Sequence, residues 1–142
     1  MTTALPASKI DNRMRILAYA LGVAHVVFGV TKLVAVPAMV EQFRGWQLPL
    51  WMMYFVGVAQ LLAGLGFFVR NLRLPSSFAM GLVMIGATVT VLASGHERAI
   101  APLNLVIAVL CFAVAGHRLI QFAREFVADE TSKRARNDVR AS

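Results

Sequence analysis

His25 and Lys32 are the residues of this chain best placed to do chemistry. Both stand inside an apolar run, Met14 to Val36, of the length an α-helix needs to cross a bilayer. They are seven residues apart, two helical turns, with Phe28 and Gly29 between them on the same face. An imidazole or an ammonium in a span is costly unless it faces the bundle interior, water or a partner, so this face is a candidate site. Gln60, Thr88 and Asn104 add an amide, a hydroxyl and a second amide in later apolar runs. Gathered around one cavity, the five would suit a polar or anionic ligand head at Lys32. An apolar tail would run along Phe28 and neighbouring glycines, as in a quinone or another lipid-like molecule. A plainer role stands beside each. His25 and Gln60 can hold the bundle together through an interhelical hydrogen bond of roughly 0.6–2 kcal/mol, and Lys32 can snorkel its ammonium to the interface.

Four apolar runs position these residues, at about 14–36, 50–69, 76–93 and 99–122. With 58% hydrophobic residues, a mean hydropathy of +0.69 and short connections, the expected fold is all-α, an integral membrane antiparallel four-helix bundle in one domain. Residues 1–13 form a polar lead-in, 14–123 the four-span bundle, and 124–142 a basic tail, helical at first and then disordered. Pro37 can open a short helix after the first run, and Trp46 and Trp51 mark the membrane boundary where the second begins. In that second run Gly57, Gln60 and Gly64 fall at i, i+3 and i+7, a face on which small residues admit a neighbouring backbone and turn Gln60 inward. Gly81, Ile85 and Thr88 form a face of the third, and Asn104, Ala108, Cys111 and Ala115 a stripe of the fourth. At about 1.5 Å of rise per residue, His25 and Gln60 lie at mid-depth, Lys32 and Thr88 in the outer half and Asn104 near the outer end. The pocket they would line opens outward.

The net charge of +7 is not a nucleic-acid signature, because the bases sit at the ends of apolar runs rather than on one folded basic face. Eleven of them flank the ends shared by the two termini and the second loop, two (Arg44 and Arg98) lie in the other loops, and Lys32 is within a span. By the positive-inside rule both termini are expected in the cytoplasm. The basic tail serves retention on that side or attraction to anionic headgroups. The basic N-terminal flank and apolar run resemble a secretion signal, but the run is too long and lacks a small-x-small cleavage site, so it is expected to remain as the first span. Cys111 is the only cysteine, which rules out an intramolecular disulfide, a CxxC pair or a multi-cysteine metal site. Of the three histidines, His96 falls in an outer loop beside Glu97 and Arg98, and His117 near the inner end of the fourth span. No two lie at matched depth for a haem. No intrinsic cofactor or metal is therefore expected. No Gly-rich phosphate loop, Ser-His-Asp pattern or HExxH is present, and the spans contain no Asp or Glu.

Phe28-Gly29-Val30-Thr31-Lys32-Leu33 resembles the FGxxKL signature of the first span in DoxX-like membrane proteins. Leu48-Pro49, Gly57-Val58-Ala59-Gln60-Leu61-Leu62 and His96 follow in that family's order, and the similarity runs from about Leu17 to Ala115. The resemblance implies a four-span bundle in a bacterial cytoplasmic membrane and, for some relatives, association with thiosulfate:quinone oxidoreductase or oxidative-stress enzyme complexes. Many relatives carry a glutamate where Gln60 stands, so proton or cation handling by that acid is not implied here. The expectation is an accessory or quinone-proximal subunit of a membrane redox system, with membrane lipid, a redox-enzyme subunit or further copies of the chain as partners. The alternative is a small-molecule or lipid-binding enzyme or carrier that uses the outward-facing pocket. No motif decides whether the chain is itself catalytic.

The charge asymmetry predicts a topology that single cysteines can test in a Cys111→Ser background. An impermeant thiol reagent added outside should label Glu97→Cys and leave Leu72→Cys untouched. The reverse pattern would invert the orientation.

Overall fold

The computed structural model describes residues 7–95 and 98–141. His96 and Glu97, the ionisable pair expected in an outer loop, lie outside the described residues. Five α-helices follow one another: α1 (Ala7–Leu33), α2 (Pro37–Gly45), α3 (Leu50–Gly66), α4 (Arg73–Ser94) and α5 (Ala101–Ala141), the last preceded by a 3-10 turn at Arg98–Ile100. No strand occurs among the described residues. α1, α4 and α5 are each long and apolar enough to cross a membrane. α2 and α3, bent by 118° at a short break, make a fourth crossing if they count as one broken span.

Local chemistry sets these boundaries. α1 ends at Leu33, where the Val36 and Ala35 N–H groups return to the carbonyls of Thr31 and Lys32 and Ala35 takes a left-handed φ of 50°. α2 closes the same way, with Leu48 and Gln47 bonded back to Phe43 and Arg44 and Gln47 at φ 57°. Pro37 occupies the first turn of α2, where its missing N–H costs nothing, as the sequence suggests. α3 stops at Gly66, three residues short of the expected end. Beyond it the chain tightens into i→i+3 bonds, Phe68 to Leu65, Val69 to Gly66 and Leu72 to Val69. α4 starts at Arg73 rather than Ser76, with Pro75 in its first turn. α5 has 41 residues, about 60 Å at helical rise, roughly twice the thickness of the hydrocarbon core. The basic segment read as a separate tail is the far half of this one helix.

Two antiparallel pairs build the bundle. In the first, α1 and α3 meet backbone to backbone. A Cβ added at Gly29 would lie 2.8 Å from Leu61 N and 2.9 Å from Gly57 O, and one at Gly64 would lie 2.9 Å from Val26 N and 3.0 Å from Gly22 O. Gly22 thus faces Gly64 and Gly29 faces Gly57, two turns apart on each helix. In the second pair the Phe112 ring of α5 covers Gly81 of α4, where a Cβ would lie 2.7 Å from the ring. Phe78 meets that ring edge-on at a centroid distance of 5.7 Å. The pairs join through a core of Ala18, Leu21, Phe67, Met80, Cys111 and Val114. Outside it, Val23, Val27, Phe55, Leu62, Leu82, Val89, Val106 and Val109 are all exposed. An apolar belt of that extent marks a surface made for lipid or a partner, so the chain is a multi-pass membrane protein.

Substitutions at the glycines should separate contact from propensity. Gly29→Ala and Gly64→Ala put a methyl group within 3 Å of the backbone of the facing helix, and should each lower stability in detergent by about 1–3 kcal/mol. Gly86 and Gly116 have no neighbour within 4 Å of an added Cβ, so alanine there should be neutral or stabilise by up to about 1 kcal/mol. At the two left-handed turns, Ala35→Gly and Gln47→Gly should raise the melting temperature, because each relieves roughly 1 kcal/mol of backbone strain. Thermal unfolding followed by circular dichroism reads all six.

Candidate functional site

The glycine contacts decide where the polar side chains of α1 and α3 fall. With Gly22 against Gly64 and Gly29 against Gly57, His25 and Gln60 come to nearly the same level, His25 with only 2% and Gln60 with 3% of its surface exposed. His25 Nδ1 lies 2.7 Å from the Leu21 carbonyl. A carbonyl only accepts, so Nδ1 donates in this contact. The imidazole stacks on Phe67 of the α3 end, centroids 5.9 Å apart. Gln60 Oε1 is buried and has no hydrogen-bond partner. An amide oxygen in that state costs about 1–3 kcal/mol, and it is the one fully buried side-chain atom of the predicted set without a hydrogen-bond partner among the described residues.

Lys32 is buried to 9% exposure, with its stem against Gly57. Its ammonium bends back along α1 to the Phe28 carbonyl at 3.5 Å and sits 5.6 Å from the Phe28 ring centroid. Among the described residues it has no carboxylate partner. Phe28 itself is 45% exposed, so it does not share the buried face with His25 and Gly29 as the sequence reading placed it; Gly29 alone of the two turns to α3. Thr88 and Asn104 belong to the other pair. The Gly81–Phe112 contact sets an antiparallel register that brings them to about the same level across α4 and α5, and both are half-buried. The Thr88 hydroxyl donates to the Met84 carbonyl one turn back, at 2.8 Å. All five predicted residues lie on the same side of the Ala18–Phe67–Met80–Cys111 core. His25, Lys32 and Gln60 form one group at the first pair, and Thr88 and Asn104 form another at the second.

At the opposite end of the bundle is a cleft that the sequence reading did not anticipate. About 660 Å³ of space lies between the start of α1, the α3–α4 turn and α5, lined by Asp11, Asn12, Arg15, Arg70, Arg73, Arg118, Gln121, Arg124 and Glu125. Arg73, expected in a loop, is buried: Nε donates to the Phe67 carbonyl at 2.9 Å, closing the end of α3, and the guanidinium lies 5.2 Å from the Tyr19 ring. Arg70 pairs with Glu125 at 2.6 Å, and Arg118 donates to Gln121 and to the Arg70 carbonyl. Asp11 is held by Gln121 Nε2 and by His117, each at 3.0 Å. The sequence signal was the common side of these bases; their convergence required the α3–α4 turn and the continuous α5.

The family model described as the DoxX-like family matches residues 16–114, a stretch that holds both glycine pairs and all five predicted site residues. Comparison with curated proteins and with solved structures gives no match. The match covers most of the chain, including Phe28-Gly29-Val30-Thr31-Lys32-Leu33, whose glycine meets α3 and whose lysine lies against Gly57. The chain belongs to the DoxX-like family.

Proposed function

We propose that this DoxX-like protein serves a membrane redox system of the bacterial cytoplasmic membrane as an accessory, quinone-proximal subunit. In this reading it holds a quinone-class or similar lipid-like molecule between α1 and the rest of the bundle and carries no redox centre of its own. The observation that supports it is the buried, unpartnered Oε1 of Gln60 at nearly the level of the buried His25. A hydroquinone hydroxyl donates to such an oxygen, and the amide N–H₂ can serve the carbonyl of the oxidised form, so one side chain fits both states. An amide cannot take the proton, which makes Gln60 a positioning group rather than a base. Lys32, turned along α1 with a single long hydrogen bond, has donors to spare for a polar head. The exposed apolar belt gives the same protein a surface for a partner subunit or another copy of the chain.

Mass spectrometry of lipids and proteins that co-purify in mild detergent tests this reading. Wild type should retain a quinone-class lipid and a redox-enzyme subunit. Gln60→Leu should lose roughly nine-tenths or more of the lipid while its melting temperature holds or rises, since leucine removes a buried unpaired acceptor of about the same volume. Lys32→Ala should weaken retention, and Lys32→Arg should not rescue it if a shaped head group rather than charge alone is recognised. A Gln60→Leu protein that melts lower and keeps its full lipid complement would make Gln60 a structural bond and refute the proposal.

A further inference from the structure

The arginine cleft stands apart from the Gln60 region, separated from it by the apolar core, and nothing in the proposed redox role uses it. Five guanidinium groups meet there against two carboxylates, Asp11 and Glu125. Both acids already have protein partners, Asp11 in Gln121 and His117, Glu125 in Arg70. Arg118 shares the cleft with Arg70 and Arg73, and the Glu125 carboxylate is paired with Arg70. Arg118 Nε is buried without a hydrogen-bond partner, and Arg124 makes no hydrogen bond or ion pair among the described residues. Crowded like charges with unfilled donors are stable when an anion sits among them, and guanidinium forks match the oxygens of a phosphate. α4 also begins here, at Arg73, so its first N–H groups lie at this end of the bundle. The α3 carbonyl end, which would oppose an anion, is taken up by Arg73 Nε.

The position narrows the source. The cleft lies beside the start of α1, the end of α3 and the start of α4, where α5 leaves the bundle, the level at which a span meets headgroups. We propose that the cleft formed by Arg15, Arg70, Arg73, Arg118 and Arg124 is a binding site for a phosphate group, that of an anionic phospholipid or free phosphate. It is a built site contributed by three parts of the chain, distinct from diffuse attraction by the charged end of α5.

Charge-matched variants of the full chain test this. Arg70→Gln with Arg124→Gln removes two exposed cleft arginines, and Lys133→Gln with Arg134→Gln removes the same charge from the far end of α5. Protein in phosphatidylcholine nanodiscs is titrated with phosphatidylglycerol and read by native mass spectrometry; in a parallel arm inorganic phosphate is added and the melting temperature recorded. Wild type and the far-end variant should bind phosphatidylglycerol alike, and the cleft variant roughly tenfold or more weakly, with its unliganded melting temperature unchanged. If inorganic phosphate raises the melting temperature of wild type and displaces the lipid, the ligand is free phosphate. If it does neither while the lipid still binds, the ligand is a headgroup. Equal losses in both variants, or no preference for phosphatidylglycerol over phosphatidylcholine and no response to phosphate, would overturn the proposal.

Discussion

Everything else in the bundle depends on how closely the α1 and α3 backbones approach at Gly22, Gly29, Gly57 and Gly64. Lipid tails are as apolar as the side chains they would replace, so two helices in a bilayer gain little from burying leucines against each other. They gain from van der Waals contact, which is densest where no Cβ intervenes. Two glycine pairs, two turns apart, fix both the spacing and the register of these helices. With that register set, the residues three or four positions from each glycine are locked into the interface whatever their polarity.

His25, Lys32 and Gln60 are those residues. His25 settles its burial by bonding to its own helix at Leu21, and Lys32 partly does so at Phe28. Gln60 does not, and its oxygen is left facing an interior with no protein donor. In a low-dielectric setting such an atom is expensive, and a fold this closely packed could have placed an apolar residue there. An amide there suits the hydroxyl-bearing or carbonyl-bearing guest of the proposed function. The second pair uses the same device as His25: Thr88 and Thr90 each bond back to a carbonyl one turn earlier.

Much of this was legible in the sequence. Hydropathy gave the apolar runs, and the Gly57–Gln60–Gly64 spacing turned Gln60 inward, where it lies. α3 begins at Leu50, between Trp46 and Trp51, where the tryptophans placed the start of the second run, and Trp51 is 67% exposed. Other features were not legible because they depend on contacts between distant parts of the chain. The 118° bend between α2 and α3 contains a left-handed Gln47, a residue type that gives no turn signal of its own. Phe28 turns outward because Gly29 takes the contact with α3. Arg73 reads as a loop base yet is buried, since it closes the α3 carbonyl end and stacks on Tyr19, 54 residues earlier in the chain. The basic cleft likewise assembles residues from the start of α1, the α3–α4 turn and the middle of α5.

The proposed function turns on a guest molecule held at the α1–α3 interface beside Gln60. The most direct test is photo-crosslinking in native membranes with a quinone carrying a diazirine on its tail, followed by peptide mapping of the adduct. Adducts should concentrate on α1 and α3 around His25 and Gln60, and excess unmodified quinone should abolish them. Labelling spread evenly over the outward faces of α4 and α5, indifferent to competitor, would contradict the account.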